Sequence, residues 1–531
     1  MTFDRGSLDR LVTRADALAG AWGARARGST TVGQERAILR LFGVSGLDAS
    51  GRPLAGTTVD RWLAGEPRAL GNGIALPFAM ALLEYDLEPQ QLARDVASGA
   101  IDLTLESELL REHDRRAVAE AEAGRLAAMA VERIDAQRTV RRETIAMLGE
   151  ADRPWLGVTL REPDVDAAIE EVAGLIAAGI DLIRIEVPIG RELADRMIGA
   201  GLEVPIWQPR EPRRGAANPA SEPAPSGSQR AIARLRRAVD RAAAKRQAYV
   251  RLATVAPALG APEGAVVAAF ERVDLIASDA MAEIVGNAVE PDRALADHAF
   301  AHRLAKRAGT SILVGPGPLV VAPDLSSGVP SDPATRAGRA LALQLLGVTL
   351  ARGDGLAADQ IVVGALTPWL TDEPSPGARA IAEVAVRRAL FAGHPLGFVE
   401  PPTGTGRSVL WSYVQAAAAV HGGDIAMVLR SGDAGPEDVP ASARSARAAA
   451  QVSTDVAAAS APGSLTGVAL DHARGMIDAA MRTLDGLAEH GWRTIAGEPP
   501  GGPRARSAVR DVVTEQTETF DPFESALGPR A

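Results

Sequence analysis

The side chains most able to do chemistry lie at the ends of short apolar runs. Arg184 and Glu186 close the run from Gly179 and, two residues apart, share one face of a strand. Arg251 sits in the next such run and Asp279 follows the one at 273–278. An arginine donates to a carboxylate in bidentate fashion and a carboxylate accepts from an ammonium, so the set Arg184, Glu186, Arg251 and Asp279 is suited to binding an amino acid substrate. The same charges can equally form a structural ion pair between neighbouring strands. A second candidate is the turn Pro402-Thr-Gly-Thr-Gly-Arg-Ser408, where Thr403, Gly404, Thr405 and Gly406 can present backbone N–H groups to a cofactor phosphate at a helix start. It lacks the lysine of a Walker loop and the full GxGxxG fingerprint, and a plain strand-to-helix turn explains it as well.

Other motifs read as structural. His298 and His302, four apart with Asp297 beside them, have the spacing of a zinc pair, but no HExxH glutamate or third ligand accompanies them, so they read as ordinary helix histidines. Asp471-His472-Ala-Arg-Gly475 has its histidine one place early for a cobalamin-ligating DxHxxG and reads as helical surface. The chain has two lysines, Lys245 and Lys306, both in Arg-rich helical patterns that predict a solvated role. A Schiff-base lysine for pyridoxal phosphate is therefore not expected from this chain.

The elements that must position these residues alternate regularly. Apolar β-type runs at 155–160, 179–187, 248–253, 273–278, 311–315, 360–364, 396–400 and 425–429 are separated by helical patterns, as in βα units around a parallel sheet. The fold class is α/β, a (β/α)8 TIM-type barrel with a helical N-terminal region and C-terminal helices, its chemistry at the strand C-termini. The divisions are 1–150 for the helical region, 151–435 for the barrel with a Pro-rich insertion at 205–228, 436–498 for C-terminal helices, and 499–531 for a flexible tail. The insertion reads as a surface loop, or as a lid over the strand ends. Within the first region, Ser29-Thr30-Thr31 can cap a helix from Val32 to Phe42, and 105–148 reads as one long charged helix.

Composition narrows the class. The chain has 531 residues, 47% hydrophobic and 23% charged, with formal net charge −10 and no cysteine. That balance suits a soluble globular protein, disfavours nucleic-acid binding, and removes disulfides, thiolate metal sites and cysteine nucleophiles. The N-terminus lacks the layout of a signal peptide and no apolar run reaches the roughly 18 residues of a membrane span, so the expected location is cytoplasmic, away from any membrane.

Three stretches carry a resemblance: Thr30-Thr-Val-Gly-Gln-Glu-Arg-Ala-Ile-Leu-Arg-Leu-Phe-Gly43, Ser98-Gly-Ala-Ile-Asp-Leu-Thr104, and Pro395-Leu-Gly-Phe-Val-Glu-Pro-Pro-Thr403. With Tyr249-Val-Arg-Leu252 and Phe270-Glu-Arg-Val-Asp-Leu-Ile-Ala-Ser-Asp-Ala280 they make the chain similar to the α subunit of the lysine 5,6-aminomutase (D-lysine/β-lysine 5,6-aminomutase) family from about residue 8 to 490. The resemblance implies an adenosylcobalamin-dependent isomerase in a hetero-oligomer, performing a radical 1,2-amino shift on lysine or a related amino acid. The cobalamin-binding β subunit would supply the cobalamin-ligating histidine and the pyridoxal phosphate Schiff-base lysine. It also exposes departures. Ser29 replaces a family histidine, and the tyrosine that stacks on the pyridoxal ring falls at Ala282. Three family groups that hold the coenzyme fall at Val187, about Pro257 and Asn287, and a family aspartate at Pro318 or Leu319. Arg251, Asp279, Pro402 and Thr403 match. These departures leave a second expectation: a diverged subunit without pyridoxal phosphate, either a mutase for another substrate or a non-catalytic scaffold for the cobalamin partner.

Overall fold

The computed structural model describes residues 5–49, 52–65, 67–160, 165–185, 224–255, 260–277, 279–286, 289–315, 332–365, 375–397, 424–427, 467–494, 513–517 and 520–527. Eight parallel strands close into a barrel in chain order: β2 (Trp155–Leu160), β3 (Leu182–Ile185), β4 (Arg251–Val255), β5 (Leu275–Ala277), β6 (Ser311–Val314), β7 (Ile361–Gly364), β8 (Leu396–Gly397) and β9 (Ile425–Met427). β9 returns to β2, pairing Trp155 with Ile425. The remaining strands, β1 (Ser29–Thr31) and β10 (Val513–Glu515), form an antiparallel pair outside the barrel.

Side-chain alternation divides the barrel into two cores. Leu156, Val158, Ile183, Leu252, Ile276, Ile312 and Val363 join the apolar layer under the helices. Trp155, Leu182, Ala253, Leu275, Val362 and Ile425 fill the interior, with Leu313 packed against them. That plug occupies the N-terminal half of the barrel and leaves the opposite end to later residues on the same strand faces.

An aspartate precedes three of the strands and ties each to its neighbour. Asp181 accepts from Leu156 N at 2.9 Å, Asp274 from Leu252 N at 2.9 Å, and Asp424 from Leu396 N at 2.8 Å. Each carboxylate is neutralised by arginines from the outer helices. Asp274 meets Arg141 at 3.0 Å and Arg236 at 3.1 Å and accepts from the Tyr249 hydroxyl at 2.7 Å. Charge-assisted bonds of this kind satisfy strand-end N–H groups that the ladder leaves open.

The N-terminal helices are α1 (Arg5–Arg27), α2 (Val32–Leu41), α3 (Leu54–Gly65), α4 (Ala75–Tyr85), α5 (Pro89–Ser98), α6 (Leu103–Leu109) and α7 (His113–Leu148). Thr31 caps α2, accepting from Gln34 N at 3.1 Å. The long helix expected at 105–148 is in fact two, α6 and α7, broken around residues 110–112. Around the barrel lie α8 (Val165–Ala177), α9 (Ala224–Arg246), α10 (Ala261–Phe270), α11 (Ala280–Gly286), α12 (Pro291–Ala308), α13 (Pro333–Gly353) and α14 (Pro376–Leu390), with α15 (Val468–His490) packed on α13 and α14. Proline opens α10, α12, α13 and α14, where its missing N–H costs nothing.

Two expectations about irregular segments change. Residues 224–228, assigned to the Pro-rich insertion, begin α9, and 205–223 lie outside the described residues. The tail expected to be flexible is docked where it is described: β10 pairs with β1, Phe523 is 1% exposed, and Arg303 holds Asp521 at 3.0 Å. Among the described residues no helix is long and apolar enough to cross a membrane.

Candidate active site

The C-terminal ends of β2–β8, as far as they are described, form the barrel mouth. Arg184 shares the face of Leu182, so its side chain is directed into the barrel, two residues beyond the interior plug. Arg251 is not its counterpart. The register sets Arg251 level with Leu182 and Ala253 level with Arg184, which puts Arg251 at the N-terminal end of the barrel. There its guanidinium lies 3.3 Å from the Trp155 ring centroid and pairs with Glu150 at 2.8 Å. Arg251 is thus a buried cation under the plug, away from the mouth, and the expected grouping of Arg184 with Arg251 does not form. Glu186 and the loop residues Thr403, Gly404, Thr405 and Gly406 lie outside the described residues.

Asp279 does reach the mouth end, but its carboxylate is occupied with backbone. It accepts from Met281 N at 2.9 Å and from Gly315 N at 3.2 Å, joining the end of β5, the start of α11 and the end of β6. Burial pushes its carboxyl up to about 6, against the opposing pull of nearby His298 and those N–H donors. Asp279 therefore shapes the mouth. The next turn carries Ala282, the position where the resemblance implies a ring-stacking tyrosine.

Behind Asp279 the outer helices enclose a polar cluster. His298 Nε2 lies 3.3 Å from Glu283, and His302 Nδ1 lies 2.7 Å from Asp354. Burial opposes a charge on His298, yet Glu283, Asp279 and Asp297 outweigh it and raise its pKa. Asp297, fully buried, accepts from the Thr31 hydroxyl and faces Arg293 at 3.6 Å. Desolvation pushes Asp297 up to about 6. The crevice between Asp279, His298, His302 and Asp354 measures about 10 Å³, room for one water. The two histidine rings, 6.0 Å apart, are each engaged by a different carboxylate. Among the described residues, no group of three or more His, Asp or Glu side chains is placed to hold a metal ion.

His472 is corrected as well. It is buried between α14 and α15, with Glu383 at 3.4 Å and Arg379 at 3.3 Å, and is not a surface residue. Lys245 and Lys306 are exposed on outer helices. Sequence reading missed Thr159, whose signal was available: it stands two and four places after Gly157 and Trp155, on the interior face of β2.

Comparison with known proteins bears on this arrangement. Residues 1–420 match the family described as the D-lysine 5,6-aminomutase TIM-barrel domain of alpha subunit. The lysine 5,6-aminomutase alpha subunits of Acetoanaerobium sticklandii and Fusobacterium nucleatum subsp. nucleatum are 26% and 25% identical over 375 residues, 70% of this chain. The match spans 66% of the length of those relatives, just under two thirds. Dihydropteroate synthase from Anaplasma phagocytophilum is 13% identical with a TM-score of 0.35, covering 57% of this chain and all of that one, a likeness too low to carry an argument. With the family match extending over most of the chain and a closed eight-stranded barrel within it, the chain belongs to the D-lysine 5,6-aminomutase alpha-subunit family, as a divergent member.

Proposed function

We propose that this chain is the barrel subunit of an adenosylcobalamin-dependent, aminomutase-like isomerase, acting with a cobalamin-binding β subunit on lysine or a related amino acid. The observation that carries the reading is a closed barrel of this family whose N-terminal half is plugged and whose mouth end holds an inward-directed cation, Arg184. In a barrel of this type the open end is where a substrate is held and shielded from water. The partner would bring adenosylcobalamin, whose contribution is the radical that starts a 1,2-shift. This chain's part is to bind and orient the substrate, with Arg184 taking its negative end and the Asp279-capped turn shaping the wall.

One observation favours a second reading, in which pyridoxal phosphate has been dropped. The described residues do not fit that coenzyme. Ala282 offers no ring to stack on it, Asp279 is engaged with backbone N–H groups, and both lysines face outward on helices. No step through pyridoxal phosphate is assigned here. The barrel then serves a mutase for a different substrate, or a scaffold for the cobalamin partner.

The test is a visible absorption spectrum of the chain co-purified with a cobalamin-binding β subunit, before and after addition of both coenzymes. Bands from both support the aminomutase reading in full. A cobalamin band alone selects the pyridoxal-free reading, and no band with no complex overturns both.

A further inference from the structure

Thr159 is the penultimate residue of β2, on the interior face shared with Gly157 and with the plug residue Trp155. The residue is 1% exposed, and its hydroxyl has no hydrogen-bond partner among the described residues. A buried hydroxyl without a partner is costly and rare, which makes it informative at a barrel mouth. Directly across the strand pair, Thr159 is in register with Arg184, whose side chain is directed the same way. Adjacent strands lie about 4.8 Å apart, so the two side chains rise side by side from the barrel wall. On the opposite wall the corresponding faces end in Ala277 on β5, Gly364 on β7 and Gly397 on β8, none of which offers a polar side chain. Asp279, just beyond β5, is already engaged with the N–H groups of Met281 and Gly315, so the described strand ends offer a polar side chain to a ligand on the β2 and β3 side.

We propose that Thr159 and Arg184 form an anion subsite that takes the carboxylate of a small-molecule substrate. A carboxylate has two oxygens in one plane, and an arginine fork beside one hydroxyl matches them. A phosphate presents three oxygens and more charge, and calls for more donors than this pair supplies. The subsite gives the substrate a direction: carboxylate against β2 and β3, remainder across the mouth toward the small residues of β5, β7 and β8. This rests on the reading above only in taking the barrel mouth as the place of reaction.

The experiment is calorimetric titration of the full chain with 6-aminohexanoate, with pentylamine (the same molecule without its carboxylate) and with inorganic phosphate. The wild type binds 6-aminohexanoate at least about 10-fold more tightly than pentylamine. Thr159→Val and Arg184→Gln each reduce that preference about 5-fold or more, while Thr159→Ser retains it. Because the Thr159 hydroxyl is unpaired before ligand arrives, Thr159→Val leaves the ligand-free melting temperature unchanged or raises it. No preference in the wild type, a preference that survives both substitutions, or a clear fall in melting temperature for Thr159→Val overturns the proposal. Tighter binding of phosphate than of 6-aminohexanoate overturns it as well. The cobalamin band of the complex with the β subunit is recorded on the same variants. If it persists while the carboxylate preference is absent, the subsite fails and the family function stands.

Discussion

Arg251 shows how a single residue's role turns on its level in a barrel. From sequence it stands beside Arg184 as a charge on a β-strand, and only the register reveals that it lies two residues lower. Its guanidinium covers the Trp155 ring and pairs with Glu150, so its contribution is to packing and desolvated charge. Arg251→Met should lower stability by about 1–3 kcal/mol in chemical denaturation and leave carboxylate binding within about 2-fold of wild type. Lost binding with unchanged stability would return Arg251 to the mouth. Asp297 makes a different prediction. Burial holds its carboxyl at about 6, above the 3.8 of the free group, so the fold favours the protonated form. A group whose folded pKa is raised gives stability that is complete below its unfolded value and fades as pH rises through the folded one. Asp297→Asn mimics the protonated state and can still accept from Thr31. Relative to wild type, the variant should therefore gain on the order of 1–3 kcal/mol between pH 5 and pH 7.5. Parallel pH profiles for the two proteins would refute the assignment.

At the scale of elements, much of the fold was legible in the chain. Trp155–Leu160 and Val468–His490 have the bounds that periodicity predicts, and each barrel strand overlaps a run that the alternation marks, β4 extending two residues beyond the run at 248–253. Strand ends were less legible. The run from 179 becomes strand only at Leu182, because Asp181 is turned to accept from Leu156 N. The signal for this device lies in a recurring pattern, Ile180-Asp-Leu-Ile183 and Val273-Asp-Leu-Ile276, with a looser copy at Gly423-Asp-Ile-Ala426. The carboxylates read as solvated until their arginines are placed, and those come from distant helices. Asp274→Ala removes the acceptor for Arg141, Arg236, Tyr249 and Leu252 together and leaves two cations buried. It should cost about 3–5 kcal/mol, whereas a surface control such as Asp166→Ala should stay within about 0.5 kcal/mol. A loss below about 1 kcal/mol at Asp274 would show that the strand end does not depend on it. The mouth itself was only partly legible. Arg184 could be named from its run and the interior position of Thr159 follows from alternation, but a threonine on a strand carries no mark of whether its hydroxyl finds a partner.

The whole molecule is held together across the boundary that composition suggests near residue 150. One apolar core runs from Leu8 in α1 through the outer faces of the barrel strands to Leu527 near the C-terminus. Polar contacts cross the same boundary. Thr31 bonds Asp297, Gln34 Nε2 reaches Ala296 O at 2.7 Å, and Arg40 pairs with Glu263 at 2.7 Å. The tail adds a strap: Gln516 N bonds Gly28 O at 2.9 Å, while Phe523 enters the core beside Phe42, ring centroids 6.0 Å apart. A helical region so joined has no separate apolar core to keep when the barrel opens, so it should not unfold by itself. Denaturation followed by far-ultraviolet circular dichroism and by tryptophan fluorescence should give one coincident transition, with tryptophans reporting from α1 (Trp22), α3 (Trp62) and the barrel (Trp155). Phe523→Ala, which deletes a buried ring from the strap, should shift that single transition down by about 3–5 kcal/mol without splitting it. Two resolved transitions in the wild type would mean that 1–150 is an independent domain. A split produced only by Phe523→Ala would mean that the tail, more than the shared core, couples the helices to the barrel.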